Sequence, residues 1–219
     1  MTVLAQAGLF FYNKTMNTPL RIVFEGADSS GKTKALNLCR EFYKDKAEFA
    51  EEAASHIGGP QHDESDPNAA FEFQQRVLKT QLMLEDNANK RAAELKKPLV
   101  ICDRGVPGAS SFHPEGMTGF LRDHGLKLPD IIARYDLVLI LDPVALGDKD
   151  ATQDSNPYRR LRTKEDIMLQ HSVIQLAYAT HPHVVHIPFT EEFEDKWRLI
   201  QESIQECVER SALKPRLRP

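Results

Sequence analysis

The sequence predicts an α/β domain in which a five-stranded parallel sheet is covered by helices on both faces. Three apolar runs of strand length, at 98–102, 137–141 and 184–188, alternate with segments of helical periodicity. A fourth run, at 21–25, leads through a glycine loop into a helical segment, the order in which a βαβ unit opens. Short strands that are apolar throughout are typical of parallel sheets that are buried on both faces.

The helical segments follow the strands in regular alternation. Leu36, Cys39 and Phe42 recur at helical spacing after the glycine loop and predict a helix over 32–43. A second strand is expected around 47–53, where the pattern is weaker. Three further helical patterns cover 68–95, 164–180 and 191–211. Parallel strands need such crossover connections, so the alternation supports the predicted sheet.

One domain is expected. The chain has 219 residues, which is about one and a half times a typical domain length. No internal repeat, low-complexity tract or linker separates the elements, so we assign the domain to residues 19–211. An N-terminal arm at 1–18 and a tail at 212–219 are expected to flank it.

Composition excludes several classes of protein. Hydrophobic residues make up 41% and charged residues 27%, which is ordinary for a globular domain and unlike disordered or fibrous chains. The 28 Lys and Arg against 32 Asp and Glu give a net charge of −4, which argues against a uniformly basic nucleic-acid coat. No apolar stretch reaches the roughly 18 residues of a membrane span. Cys39, Cys102 and Cys207 have neither metal-ligand nor disulfide spacing, so a cytoplasmic location is expected.

A phosphate-binding loop follows the first strand. The segment matches G-x-x-x-x-G-K-[ST] through Gly26, Ala27, Asp28, Ser29, Ser30, Gly31, Lys32 and Thr33. The two fixed glycines let successive N–H groups turn around a phosphate, and the next helix points its positive end at the same anion. Lys32 can reach the β- and γ-phosphates, and Thr33 offers a hydroxyl ligand to Mg²⁺. The position between a predicted strand and a predicted helix favours nucleoside triphosphate binding.

Two acidic residues end predicted strands and compete for the metal. Asp103 follows the run at 98–102, and Asp142 follows the run at 137–141. Ligands of open α/β sheets bind at this carboxyl edge, where an Asp can support Mg²⁺ directly or through water. Asp142 precedes Pro143 and can serve as a turn residue, so Asp103 is the preferred metal ligand. Arg104, directly after it, is well placed for chemistry.

Four stretches carry a resemblance to a known family: FEGADSSGKTKAL, EEAASHI, FEFQQRVLKTQLMLED and ICDRGVPG. The order and spacing extend through YDLVLILDP and RTKEDIMLQHSVIQLAY to VVHIP, so the resemblance covers about residues 20–190. These stretches resemble the AAA-labelled ATPase and kinase family that includes the ribosylnicotinamide kinase domain of a bacterial NAD-biosynthesis regulator. Thymidylate kinases are similar at a greater distance.

The resemblance implies a three-layer P-loop kinase fold with strand order 2-3-1-4-5 and a small lid at about 143–163. It implies that Glu52, or its neighbour Glu51, is the general base for an acceptor hydroxyl, and that Arg104 binds phosphates or the acceptor. The lid segment holds three arginines that would stabilise the transferring phosphoryl group, with Arg162 aligning best. These are Arg159, Arg160 and Arg162.

Two residues depart from the family pattern. Ser55 stands where the family has Arg after E-A-A, and Gly108 stands where it has Asp after D-R-G-x-P. Both positions are expected on the acceptor side of the site, which indicates an unusual acceptor.

The sequence therefore predicts a kinase that uses ATP and Mg²⁺ on a nucleoside- or nucleotide-like acceptor. Two alternatives stay open. One is a kinase that acts on a modified base or an end within DNA, and the other is a nucleotide-dependent switch without kinase activity. A homodimer is also left open, and no membrane partner is expected.

Overall fold

The strands lie where the apolar runs of the sequence predict them. The computed structural model describes residues 18–59, 67–147 and 163–213. The strands are β1 Leu20–Glu25, β2 Ala47–Ala50, β3 Leu99–Asp103, β4 Leu137–Leu141 and β5 Val184–Ile187. They pair in parallel in the order β2-β3-β1-β4-β5, which confirms the predicted α/β sheet.

β1 occupies the centre of the sheet. It pairs with β3 on one side and with β4 on the other, and every residue of β1 is buried. Phe24 is the register partner of both Asp103 on β3 and Leu139 on β4. The strand order reverses at this point, and in open parallel sheets the crevice at the carboxyl ends beside such a reversal is the usual ligand site.

Helices connect the strands and cover both faces. The α-helices are α1 Lys32–Phe42, α2 Ala53–His56, α3 Pro67–Glu94, α4 Gly116–His124, α5 Leu128–Ile132, α6 Lys164–Ala177 and α7 Phe193–Leu213. Two 3₁₀ helices lie at Pro107–Phe112 and Val144–Gly147.

Alternate side chains of the central strands form two separate hydrophobic cores. Ile22 and Leu139 belong to the core shared with α1 and α7, to which Leu36 and Ile204 contribute. Val23, Val100 and Ile140 face the other way and join a core with these residues of α3 and α6: Ala88, Ala92 and Ile174. The two cores make the three layers of the fold, and burial of their apolar surface is the main force that holds the helices on the sheet.

α4 and α5 lie in a stretch for which the sequence analysis predicts no element. Both helices are short, and isolated helices of such length are unstable in water. They are held instead by a third hydrophobic cluster, in which Phe120 of α4 and Ile131 of α5 pack with Leu78 and Val106. Tertiary packing, with no strong local pattern, therefore determines these two elements.

Several predicted segments lie outside the described residues. These are most of the arm (1–17), most of the lid (148–162) with its three arginines, and the end of the tail (214–219). Residues 60–66 also lie outside the described ranges. α7 continues through Leu213, into the segment expected as a tail. Within the described ranges, no helix is both long and apolar enough to cross a membrane.

Candidate active site

The glycine loop joins the end of β1 to the start of α1, as the motif predicts. Ser29 and Gly31 adopt left-handed backbone angles, with φ of 57° and 81°. Left-handed residues within such a loop let successive N–H groups converge on an anion. Gly31 is the N-cap residue of α1, and among the described residues no side chain caps the helix. The positive end of the helix dipole therefore lies at the loop, where it favours a phosphate.

Lys32, the first residue of α1, is buried with a relative exposure of 3%. Its charge acts on two acids of the neighbouring strand ends, since it lowers the pKa of Glu52 and opposes the rise in the pKa of Asp103. The lysine therefore lies within electrostatic range of both the predicted metal ligand and the predicted base, as a phosphate-binding lysine should.

A buried lysine of α7 fastens the phosphate loop to the end of β4. The ammonium of Lys196 donates to the carbonyl of Ser30 at 3.1 Å and to the carbonyl of Asp142 at 3.0 Å. The backbone N–H of Val144 donates to the carbonyl of Ser29 at 3.1 Å. Burial lowers the pKa of Lys196. The sequence pattern does not identify this residue, since it lies 166 positions from Ser30 within an ordinary amphipathic helix.

Asp103 ends β3 beside the phosphate loop, and its surroundings fit a hard cation. Its Oδ1 atom is buried and has no hydrogen-bond partner among the described residues. Burial raises the pKa of Asp103, although Lys32 opposes the rise. Thr33 is exposed at the second position of α1. A carboxylate and a hydroxyl suit Mg²⁺, which in proteins completes its coordination with substrate phosphates and water.

Arg104 is held among acids at the centre of the site. Its Nε donates to Glu52 Oε1 at 2.7 Å and its Nη1 to the carbonyl of Gly26 at 3.4 Å, while Nη2 lies 3.9 Å from Asp28 Oδ1. The guanidinium also lies over the ring of Phe112, 5.5 Å from its centroid. These contacts connect the phosphate loop with the chain that follows β2.

Glu52 is the N-cap residue of α2 and the ion-pair partner of Arg104. Its Oε2 accepts a 2.7 Å hydrogen bond from the hydroxyl of Ser55. Burial acts to raise the pKa of Glu52, but Arg104, Lys32 and these hydrogen bonds outweigh it and lower the pKa to about 2. Ser55 thus binds the acid directly, where the family pattern has an arginine. Glu51, the alternative base, is exposed.

Asp142, the alternative metal ligand, has its own partner. Its Oδ1 lies 3.2 Å from Nε2 of His171 on α6, and its carbonyl accepts from Lys196. α6 also approaches the phosphate loop, because Oε1 of Gln170 accepts from the N–H of Asp28 at 3.4 Å. Thr163 starts α6 with a capping box that includes Asp166, which explains why the predicted start at 164 is correct.

Glu25, which the sequence analysis does not single out, is fully buried at the end of β1. Its Oε1 accepts from the N–H of Gly105 at 2.9 Å and from the hydroxyl of Tyr178 at 2.7 Å. A Cβ at Gly108 would collide with this carboxylate. The departure from D-R-G-x-P-D at Gly108 therefore has a physical reason, because Glu25 fills the space that a side chain would need.

A second buried acid organises the helices behind the site. Glu85 of α3 forms ion pairs with Arg21 at 3.2 Å and Arg134 at 2.9 Å, and accepts from Tyr135 at 2.8 Å. Gln81 donates both to Glu85 and to the carbonyl of Arg104, each at 3.0 Å. Through Gln81, α3 thus holds the backbone of the loop that follows β3.

The comparisons with known proteins agree with this geometry. The model of the AAA domain family matches residues 21–204, from β1 into α7. The chain belongs to that family. A search of curated proteins found no match. AAA domains are P-loop NTPases, so this AAA domain is a nucleotide-binding domain, and members of the group generally bind ATP with Mg²⁺.

Four of the predicted site residues come together in this AAA domain at the carboxyl edge of the sheet. They are Lys32, Glu52, Asp103 and Arg104, which interact through the ion pairs and charges described above. The predicted lid arginines lie outside the described residues. The added members are Glu25, Lys196 and Gln170. Glu25 and Gln170 lie within two of the stretches that carry the family resemblance, but no fixed position of a motif singled them out.

Proposed function

We propose that the protein is a kinase that transfers the γ-phosphate of ATP, with Mg²⁺, to a nucleoside- or nucleotide-like acceptor. The observation that carries the proposal is the ion pair of Arg104 and Glu52 beside the phosphate loop, at 2.7 Å. The pair supplies a cation and a hydrogen-bond acceptor on the β2 and β3 side of the phosphate loop. Such groups could orient an acceptor hydroxyl toward the γ-phosphate. The resemblance to ribosylnicotinamide kinase and thymidylate kinase supports the same reaction.

The nucleotide side of the site would be formed by the glycine loop and α1. Loop amides and the start of α1 bind the phosphates, and Lys32 neutralises charge on the β- and γ-oxygens. Asp103 and Thr33 would hold Mg²⁺, which would neutralise charge on the phosphates of the nucleotide. Phosphoryl transfer depends mainly on such positioning and electrostatic stabilisation, so the pre-formed and buried arrangement suits it.

The acceptor side would be formed by Glu52 and Arg104. With a pKa of about 2, Glu52 is ionised at neutral pH and accepts hydrogen bonds, which suits orientation of an acceptor hydroxyl. A carboxylate of such low pKa is a weak proton acceptor. We therefore assign Glu52 to orienting the hydroxyl and holding Arg104. The hydroxyl proton passes to the Glu52 carboxylate late, when the attacking oxygen has already lost electron density to the phosphorus and ADP is leaving. The lid arginines, Arg159, Arg160 and Arg162, would add positive charge that stabilises the transferring phosphoryl group.

The decisive experiment measures transfer of label from γ-labelled ATP to a panel of nucleosides, nucleoside monophosphates and DNA. Label in a nucleoside or monophosphate supports the proposal. Label only in DNA shows the polymer-acting alternative, and tight nucleotide binding with no labelled acceptor shows the switch.

The matched control for this panel is Lys32→Ala. We expect it to lower transfer by about 10²–10³-fold, as loss of one pre-organised charge stabiliser does, while the far-ultraviolet circular dichroism stays unchanged. Transfer at the normal rate by the folded variant would show that the activity comes from another site or a contaminant.

A further inference from the structure

Glu25 joins three elements of the active site through one oxygen atom. Its Oε1 accepts from the N–H of Gly105, in the loop after β3, and from the hydroxyl of Tyr178, the C-cap residue of α6. The side chain itself belongs to β1 and is fully buried. One carboxylate therefore ties the end of β1, the loop that carries Arg104 and the end of α6 together.

The backbone around Glu25 is packed so closely that only glycine fits. At Gly105, a Cβ would lie 2.6 Å from the hydroxyl of Tyr178 and 2.8 Å from that of Tyr135. At Gly108, a Cβ would lie 2.6 Å from Oε2 of Glu25 and closer still to Oε1. All of these distances are well below van der Waals contact. The two glycines thus make room for the carboxylate and the tyrosines that hold it.

The loop between Arg104 and Val106 needs such restraints. Arg104 is not a glycine but has a φ of 67°, a strained conformation that persists only when the surrounding structure holds it. Its N–H donates to the carbonyl of Phe24 at 3.0 Å and its carbonyl accepts from Gln81 at 3.0 Å. Val106 donates to the hydroxyl of Tyr135 at 2.8 Å. Glu25 supplies the remaining bond, to the amide between these two residues.

We propose that Glu25 is a positioning residue of the active site, which acts through Gly105 to keep Arg104 in its productive position, and that Gly108 is glycine because Glu25 occupies its side-chain space. The inference rests on the proposed function for its effect on catalysis. Glu25 touches no reacting atom in this scheme. Its effect is to fix where the guanidinium meets Glu52 and the phosphate loop.

The first test compares Glu25→Ala with Glu25→Gln. The alanine variant leaves the Gly105 amide and the Tyr178 hydroxyl without an acceptor, and the resulting misplacement should lower kcat by about 10²-fold. Glutamine has the same shape and a carboxamide oxygen that can accept both bonds, so it should restore most of the lost rate. Glu206→Ala, an exposed acid of α7, is the matched control and should leave kcat unchanged.

The second test displaces the Glu25 carboxylate by a substitution at Gly108. Gly108→Ala adds one methyl group, which should displace Glu25 and lower kcat much as Glu25→Ala does. In the Glu25→Ala background the space is empty, so Gly108→Ala should cause little further loss. Double-mutant cycles detect such coupling. If the two substitutions lower kcat independently, so that the loss in the double variant is the product of the two single losses, the pairing of Glu25 with Gly108 is wrong.

Hydrogen exchange provides a readout that does not depend on activity. The Gly105 amide should exchange slowly in the wild type and in Glu25→Gln, and much faster in Glu25→Ala and Gly108→Ala. Tyr178→Phe removes only the hydroxyl that donates to Glu25, so the variant should still fold. Exchange of its Gly105 amide should be faster than in the wild type, with the Val138 amide of β4 as the internal reference. If exchange at Gly105 is unchanged in the folded variants, Glu25 does not position the loop. If instead the wild type labels no acceptor, the proposed function fails while exchange still tests Glu25.

Discussion

The charges of the active site are set by which acids have direct cationic partners. Burial raises the pKa of Glu25 and of Asp103. Glu52 differs because it forms a 2.7 Å ion pair with Arg104, and its pKa falls to about 2. The pKa values of the three acids therefore shift in different directions because their contacts differ. All three nevertheless lie within electrostatic range of the same two cations, Lys32 and Arg104.

The low pKa of Glu52 predicts a defined acid dependence of stability. Because folding lowers this pKa from 4.5, the ionised carboxylate stabilises the fold above about pH 4.5, and the contribution is lost as the pH falls toward 2. Glu52→Gln should therefore lower the free energy of unfolding at neutral pH and cost progressively less below pH 4.5. Urea unfolding at a series of pH values measures this. The exposed Glu51→Gln is the control, and an equal cost at every pH would contradict the assignment.

The two strand-end aspartates can be separated by matched variants. Asp103→Asn should lower kcat by about 10–100-fold and raise the Mg²⁺ concentration needed for activity, the scale of loss found when a metal's protein partners are removed. Asp142→Asn, whose side chain contacts His171, should change the Mg²⁺ requirement little. Titration of activity with Mg²⁺ for both variants measures this. The reverse ranking would assign the metal to Asp142.

Residues of a contiguous motif could be predicted from the sequence, and residues that act over long sequence distances could not. Lys32 and Thr33 are identified by a spacing of a few positions. Glu25 meets Tyr178 across 153 positions, and Lys196 meets Ser30 across 166. No local pattern marks such pairs, because a buried acid or lysine has the same sequence neighbours whether or not it finds a distant partner.

At the scale of elements, the start of α1 depends on the left-handed backbone conformation of its N-cap residue, Gly31. Gly31 at its N-cap has a φ of 81°, and a Cβ there would lie 3.1 Å from the ring of Phe193. Gly31→Ala should therefore cost about 1–3 kcal/mol of stability, the usual cost of a left-handed non-glycine residue, and also weaken nucleotide binding.

A glycine with similar backbone angles but open surroundings is the control for Gly31. Gly125, after α4, has a φ of 61°, and no atom of the described residues lies within 4 Å of its hypothetical Cβ. Gly125→Ala should cost stability alone, and nucleotide affinity should be unchanged. Thermal unfolding and nucleotide titration of both variants distinguish the two effects. Equal loss of affinity in both would show that the loop is not specifically involved.

Strands and long helices could be predicted because their patterns repeat over several residues. The run at 137–141 coincides with β4, and the pattern at 68–95 lies within one residue of α3 at each end. α4 and α5 could not be predicted in the same way, since each presents only two or three apolar residues to a cluster that includes distant elements. Short helices of this kind follow from tertiary contacts.

At the scale of the molecule, the sheet separates two hydrophobic cores, and each of these two cores contains cysteine. All three thiols, Cys39, Cys102 and Cys207, are free and buried. Burial raises the pKa of Cys39 to about 12, so its reactive thiolate is scarce at neutral pH.

Thiol reactivity should therefore report unfolding of the whole domain. A thiol reagent should label no cysteine in the native protein and all three in denaturant. Leu213→Cys, at an 83% exposed position, should add one thiol that reacts at once and serves as the positive control. Rapid native labelling of a wild-type cysteine would show that one core opens independently of the other.

The contact of Lys196 with the phosphate loop has a consequence for chemical modification. Its amine donates to the carbonyls of Ser30 and Asp142, and the residue is only 4% exposed, whereas Lys79 and Lys90 of α3 are exposed. An acylating reagent should modify the two helix lysines quickly and reach Lys196 only when the loop moves away from α7. The acylation rate of Lys196 then measures how often the phosphate loop opens. The decrease of this rate when nucleotide is added measures how much a bound nucleotide reduces that opening.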